Sequence, residues 1–266
     1  MTANTFEFTR SETCMQSFEA ASPSNGVPVD VVITRLDVVS ESDCAAAAML
    51  PEADKQRARR FAFAGDRRRF IVARSRLRRL LGARLNLRPQ DVELVYGMRG
   101  KPALADKTSR ATLHFNVAHS GDVTAFAFAS CGDVGVDIET VRVMPDAEQI
   151  AARFFSRREY ASYRALNLCD KSLAFFNCWT RKEAFVKALG DGLYHPLNSF
   201  DVSLIPGAPA EIQQLEGFGG ESSVWTMHAF TPEPGLVGAV VVGARPDADA
   251  AQRIPEQSAV RLSIFS

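Results

Sequence analysis

The run Gly135-Val136-Asp137-Ile138-Glu139 alternates apolar and acidic residues with a period of two, which is the pattern of a β-strand. Val136 and Ile138 turn to one face and pack, while Asp137 and Glu139 turn to the other. Two carboxylates side by side repel each other unless a cation lies between them, and hard oxygen ligands suit Mg²⁺. Taken alone, the pair also reads as a solvated strand face. Downstream, Lys171–Leu189 is the clearest helix in the chain, and strands follow at Phe200–Leu204, Val224–Phe230 and Leu236–Gly243. Upstream the same order has already occurred once. A helix from Asp66, its expected N-cap, to Leu85 precedes a strand at Val92–Tyr96, a turn at Gly97–Pro102 and strands at His114–Val117 and Ala125–Ala129. Shorter helices are expected at Asp43–Leu50 (started by Ser42 or Asp43), Glu52–Ala62, Glu148–Phe154 and Arg157–Leu166, with a first strand around Val29–Ile33.

A period of roughly 110 residues points to a duplicated unit with a ligand cleft between the copies. The expected fold class is α+β, with two similar halves related by pseudo-twofold symmetry and an active-site groove between them. The boundaries read as a flexible tail at 1–28, an N-terminal half at 29–130, a C-terminal half with the carboxylates at 131–245 and a polar tail at 246–266.

The chain has 266 residues, of which 46% are hydrophobic and 23% charged, so it has the makings of a real core and is neither disordered nor fibrous. Its longest apolar stretches, such as Leu236–Ala244, are too short to span a bilayer. Five scattered cysteines form no C-x-x-C pair, and the first residues contain no apolar signal-peptide core; reduced thiols in a cytoplasm are the expectation. Lys plus Arg and Asp plus Glu both total 31, yet from Lys55 to Arg88 thirteen basic residues face a single acidic one, Asp66. That asymmetry predicts a positive face and an anionic partner.

Two further segments carry chemistry. In Trp179-Thr180-Arg181-Lys182-Glu183-Ala184-Phe185-Val186-Lys187, Glu183 and Lys187 stand at i and i+4 on one helical face. In Phe115-Asn116-Val117-Ala118-His119-Ser120, His119 stands where a strand enters a turn and suits a phosphate donor, a base or a metal ligand. Read singly, these are a surface ion pair and a structural histidine. No partner histidine lies at metal spacing, and no G-x-S-x-G occurs.

In combination, Gly-Val-Asp-Ile-Glu followed some forty residues later by Trp-Thr-x-Lys-Glu-Ala-x-x-Lys resembles the 4′-phosphopantetheinyl transferases, specifically their Sfp-like group. The likeness extends to Gly100-Lys101-Pro102, Phe115–Ser120, Arg153-Phe154-Phe155-Ser156, Pro196-Leu197 and Arg59-Arg60-Phe61, and spans about residues 29–245. The resemblance implies an enzyme, a holo-[acyl-carrier-protein] synthase. Such an enzyme moves 4′-phosphopantetheine from coenzyme A to a serine of an apo acyl or peptidyl carrier protein, releases 3′,5′-ADP, and serves nonribosomal peptide or polyketide synthesis. It further implies that Asp137, Glu139 and Glu183 hold Mg²⁺ and that Lys187 contacts the pyrophosphate. Lys101, His119 and Arg57 would reach the nucleotide end. Glu183 is the implied base, with a metal-bound water as the alternative. The chain departs from many relatives in having Ala118 directly before the histidine, where they have Ser. A cytoplasmic monomer is expected, with no membrane or nucleic-acid partner. The alternative activity is a Mg²⁺-dependent coenzyme A or nucleotide pyrophosphohydrolase, which would use the same carboxylates without a protein acceptor.

Overall fold

In the computed structural model the described residues are 28–97, 100–105, 113–130, 132–190, 195–215, 225–243 and 260–265. The expected N-terminal tail lies outside them apart from Pro28. The duplication is explicit in the element order. The first half runs β1 (Val29–Arg35), α1 (Glu41–Ala48), α2 (Glu52–Arg59), α3 (Ala64–Leu85), β2 (Leu94–Tyr96), β3 (Pro102–Leu104), β4 (His114–Ser120) and β5 (Val123–Ala129). The second runs β6 (Val134–Thr140), α4 (Ala147–Phe154), α5 (Arg157–Ala165), α6 (Leu168–Leu189), β7 (Phe200–Val202), β8 (Ile212–Leu215), β9 (Trp225–Glu233) and β10 (Leu236–Gly243). Each half is a strand, three helices, a small ribbon and a hairpin whose second strand inserts beside the first strand. The orders β1-β5-β4 and β6-β10-β9 are therefore the same antiparallel arrangement made twice.

Strand periodicity builds the layers. On β5, Val123, Ala125 and Ala127 face the other sheet, while Phe126 and Phe128 face α3 with Leu77 and Leu81. On β10, Val240 and Val242 join the inter-sheet core, while Val237, Ala239 and Val241 face α6. The two sheets thus pack on each other, and each carries a 22-residue helix on its outer side. As the alternation predicts, Val136 and Ile138 lie in the inter-sheet core.

The two sheets also meet edge to edge. β4 and β6 run alongside each other without a backbone ladder, joined by side chains: Val136 N donates to Asn116 Oδ1 at 2.9 Å, and Thr140 N donates to Ser120 Oγ at 3.1 Å. Both contacts have the same offset of 20 residues, so the two strands are parallel.

Several expectations change. The polar tail expected from residue 246 holds a further strand, β11 (Val260–Phe265), which pairs in parallel with the free side of β1 and buries Leu262. β8 carries no strong strand pattern and was not expected. Pro102, read as the end of a turn, opens β3. Helix α1 is capped by Ser40 rather than Ser42 or Asp43: Ser40 Oγ accepts from Asp43 N at 3.2 Å, and the Asp43 carboxylate accepts from Ser40 N at 3.1 Å. Asp66 is not an N-cap, because α3 begins two residues earlier behind Phe63, and its carboxylate accepts from Arg69 instead.

Part of the positive charge expected on this segment is offset by pairing. Eight of the thirteen basic residues pair with carboxylates, among them Arg76 with Asp43 at 2.6 Å and Arg78 with Asp54 at 2.6 Å. The acids come from α1, α2, β1 and loops, which α3 gathers around itself. Arg74 and Arg78, expected on the solvent side of α3, are 7% and 5% exposed, because Asp54 is buried between α2 and α3 to receive both.

Candidate active site

The acidic strand and the Glu–Lys helix meet because of a glycine. A Cβ at Gly135 would collide with the backbone of α6 at Ala184 and Ala188 and would stand 2.9 Å from Lys187 C. Only a residue without a side chain lets α6 rest directly on β6. That contact brings Glu183 and Lys187 beside Asp137 and Glu139.

The four groups form an unequal set. Lys187 Nζ donates to Asp137 Oδ1 at 2.6 Å, whereas Asp137 Oδ2 and Glu183 Oε1 are buried without a hydrogen-bond partner. Glu139 Oε2 accepts from Ser120 Oγ at 2.9 Å and from Arg142 at 3.4 Å. Burial pushes the Asp137 carboxyl up to about 6, against the pull of Lys187, and the neighbouring Glu183 and Glu139 push it the same way. Burial likewise raises Glu183, with Lys187 opposing and Glu139 adding. The three carboxylates line one cavity of about 530 Å³, together with Arg153, Trp179 and His195.

A second cavity, of about 610 Å³, lies between α3 and the β4–β5 hairpin. His119 lines it, next to a tight turn in which Gly121 takes the left-handed backbone (φ 58°) and Asp122 is tied to Arg69 at 2.7 Å. Desolvation, followed by the nearby Lys187 ammonium, lowers the His119 imidazole below its ordinary value. Arg57 also lines this cavity, its guanidinium 4.7 Å from the Tyr96 ring centroid. That contact holds the cation over the ring face.

Of the residues singled out from the sequence, Asp137, Glu139, Glu183 and Lys187 come together, and Arg57 and His119 come together next door. Lys101 is not among the residues that line either cavity. Its ammonium donates to the carbonyl of Lys187 and to that of Val134 at 3.3 Å, so it braces the end of α6 against β6. Sequence reasoning missed Ser120, which holds Glu139, and His195, which completes the acidic cavity. It also missed the structural weight of Gly135, although a glycine inside a strand pattern is a known sign of close backbone approach. Lys182 of the same motif is fully buried. It is held by Glu159 at 2.8 Å and by the carbonyls of Leu197 and Phe200 at 2.6 Å each, which fixes the 195–200 loop that borders the site.

Among the described residues, no three carboxylate, imidazole or thiolate groups already converge at metal-binding distance. The donor set nevertheless fits a hard divalent cation. Three carboxylates face one cavity, and two buried carboxylate oxygens in it have no other partner. Asp137, Glu139 and Glu183 are the residues that could hold it.

Comparison with known proteins agrees along most of the chain. Residues 133–239 match the 4′-phosphopantetheinyl transferase superfamily, and residues 39–131 match the family described as 4′-phosphopantetheinyl transferase, N-terminal. The chain is 37% identical to the 4′-phosphopantetheinyl transferase HetI of Nostoc sp. over 74% of its own length and 79% of that protein. It is 31% identical to the 4′-phosphopantetheinyl transferase ffp of Bacillus subtilis, over 73% and 81% of the two chains. To the 4′-phosphopantetheinyl transferase Sfp of Bacillus subtilis (strain 168) it is 33% identical, over 56% and 64%.

Proposed function

Because this chain belongs to the 4′-phosphopantetheinyl transferase superfamily, we propose that it transfers the 4′-phosphopantetheine of coenzyme A to a serine of an apo acyl or peptidyl carrier protein, in a Mg²⁺-dependent reaction that releases 3′,5′-ADP. The observation that carries this reading is the adjacency of an acidic cavity, holding Asp137, Glu139 and Glu183, to a cavity with Arg57 and His119 at its wall. A molecule with a pyrophosphate in its middle and a phosphorylated nucleoside at one end matches that sequence of charges.

Arg57 and His119 bind the nucleotide end. The Lys187 ammonium, on α6 between the cavities, orients the pyrophosphate. When bound by the three carboxylates, Mg²⁺ supplies charge neutralisation at the pyrophosphate oxygens. The carrier serine oxygen attacks the phosphorus that bears the pantetheine arm. The bridging P–O bond breaks, and its electron pair leaves with 3′,5′-ADP. Glu183, placed beside Asp137 and Glu139 at the pyrophosphate, takes the serine proton.

Intact-mass spectrometry of apo carrier protein incubated with the enzyme, coenzyme A and Mg²⁺ tests the reading. A gain of one phosphopantetheine arm that disappears with EDTA is the expected result. Release of free 4′-phosphopantetheine with an unmodified carrier would replace transfer by hydrolysis.

A further inference from the structure

We propose that Ser120 is a positioning residue for Glu139 and the point at which the N-terminal half enters the acidic site. The inference rests on the reading of Glu139 as a metal-holding group given above. Ser120 is the last residue of β4, one position after His119. Its hydroxyl makes two bonds, both to the other half of the molecule: Oγ donates to Glu139 Oε2 at 2.9 Å and accepts from Thr140 N at 3.1 Å. A hydroxyl has one proton and two lone pairs, so accepting from the amide fixes the direction in which the proton can be given. The backbone of β6 therefore aims the Ser120 proton at the carboxylate, and the carboxylate is held in one rotamer.

The other contacts of Glu139 do not replace this one. Arg142 reaches the same oxygen at 3.4 Å from an exposed position, and neither contact touches Oε1. Glu139 is only partly buried, with its side chain 25% exposed, so packing alone does not hold it. Asp137, by contrast, is buried on β6 and gripped by Lys187. Of the two strand carboxylates, Glu139 is the one whose geometry depends on a residue of the other half. Outer partners of this kind typically change metal affinity by about 10- to 100-fold when removed.

Binding of Mn²⁺ to the full chain, followed by the electron paramagnetic resonance of free Mn²⁺ without coenzyme A or carrier, reads the effect directly. Ser120→Ala should weaken Mn²⁺ by about tenfold, and Ser120→Thr, which keeps the hydroxyl, should recover most of that loss. Asn116→Ala is the control: it removes the other β4–β6 contact without touching Glu139 and should leave Mn²⁺ affinity near wild type. Should Ser120→Ala not fold, Ser120→Cys preserves the volume with a poorer donor and should show the same weakening. Equal weakening in the Asn116 and Ser120 variants would reduce Ser120 to a seam residue and overturn the proposal. So would a threonine variant that fails to recover. Wild-type affinity in Ser120→Ala, with affinity lost in Glu139→Gln, would overturn the positioning role alone. Unchanged affinity in Glu139→Gln would overturn the metal-holding reading and the proposal with it.

Discussion

Glu183 shows how function and stability oppose each other at a single residue. Its carboxyl is raised by burial, so at neutral pH folding must bury a charge that the unfolded chain carries freely in water. A group whose folded-state value lies above its unfolded one makes its charge unfavourable for folding from about pH 4 upward. Glu183→Gln removes that burden, together with the repulsion from Glu139. In metal-free protein the variant should unfold at the same denaturant concentration as wild type or a higher one. Transfer measured by intact mass should fall by about two to four orders of magnitude. A variant that is active, or one that is inactive only because it has lost its fold, would contradict this assignment. Asp137, Glu139, Glu183 and Lys187 were legible in the sequence, because strand and helix periodicity place each pair on one face. The bracing role of Lys101 was not, because the two carbonyls it binds belong to β6 and α6, far away in the chain.

At the scale of elements, the site is the contact of α6 with β6, and two features hold it. The first is Gly135. Gly135→Ala pushes a methyl group into helix backbone that has no rotamer with which to yield, so α6 must lift. The expected loss is about 1–3 kcal/mol or more in a denaturant melt, with transfer activity lost in step, since Glu183 and Lys187 move with the helix. The second is the buried Lys182–Glu159 pair, which ties α6 to α5 and, through Glu159 Oε1 accepting from Val202 N at 2.7 Å, to β7. Lys182→Met leaves a buried carboxylate without its counter-charge and should cost about 3–5 kcal/mol. Adding Glu159→Gln to it should restore part of that loss, which a double-mutant cycle of unfolding measurements would detect. Element type was readable along most of the chain, since long apolar periodicities such as that of α3 leave little ambiguity. Boundaries shifted by a residue or two, as at Ser40, whose side-chain bond with Asp43 caps α1, and at Phe63, which precedes α3 with no side-chain cap.

At the scale of the whole molecule, the halves are copies with different surroundings. Both have the strand order of the other, yet β1 is covered on its free side by β11 while β6 lies against β4. Truncation before Val260 should uncover the β1 ladder, lower the midpoint of thermal unfolding and promote association through the bared edge, as light scattering would show. An unchanged midpoint would mean that β11 adds nothing to the sheet. The sequence reads as a tail here because the strand is short and follows a long polar stretch, and a parallel partner more than 220 residues away leaves no mark on local pattern.

Spacing along single strands and helices was enough to read the repeated order of elements, the faces they present and the residue types of the acidic site. Tertiary structure alone decided which arginines are paired, which carboxylate oxygens stay unpartnered, that Lys101 donates to carbonyls of β6 and α6, and that Ser120 crosses from one half to hold Glu139. Each of these depends on distances between segments remote in the chain, set by how two sheets and two helices pack, and no periodicity records them.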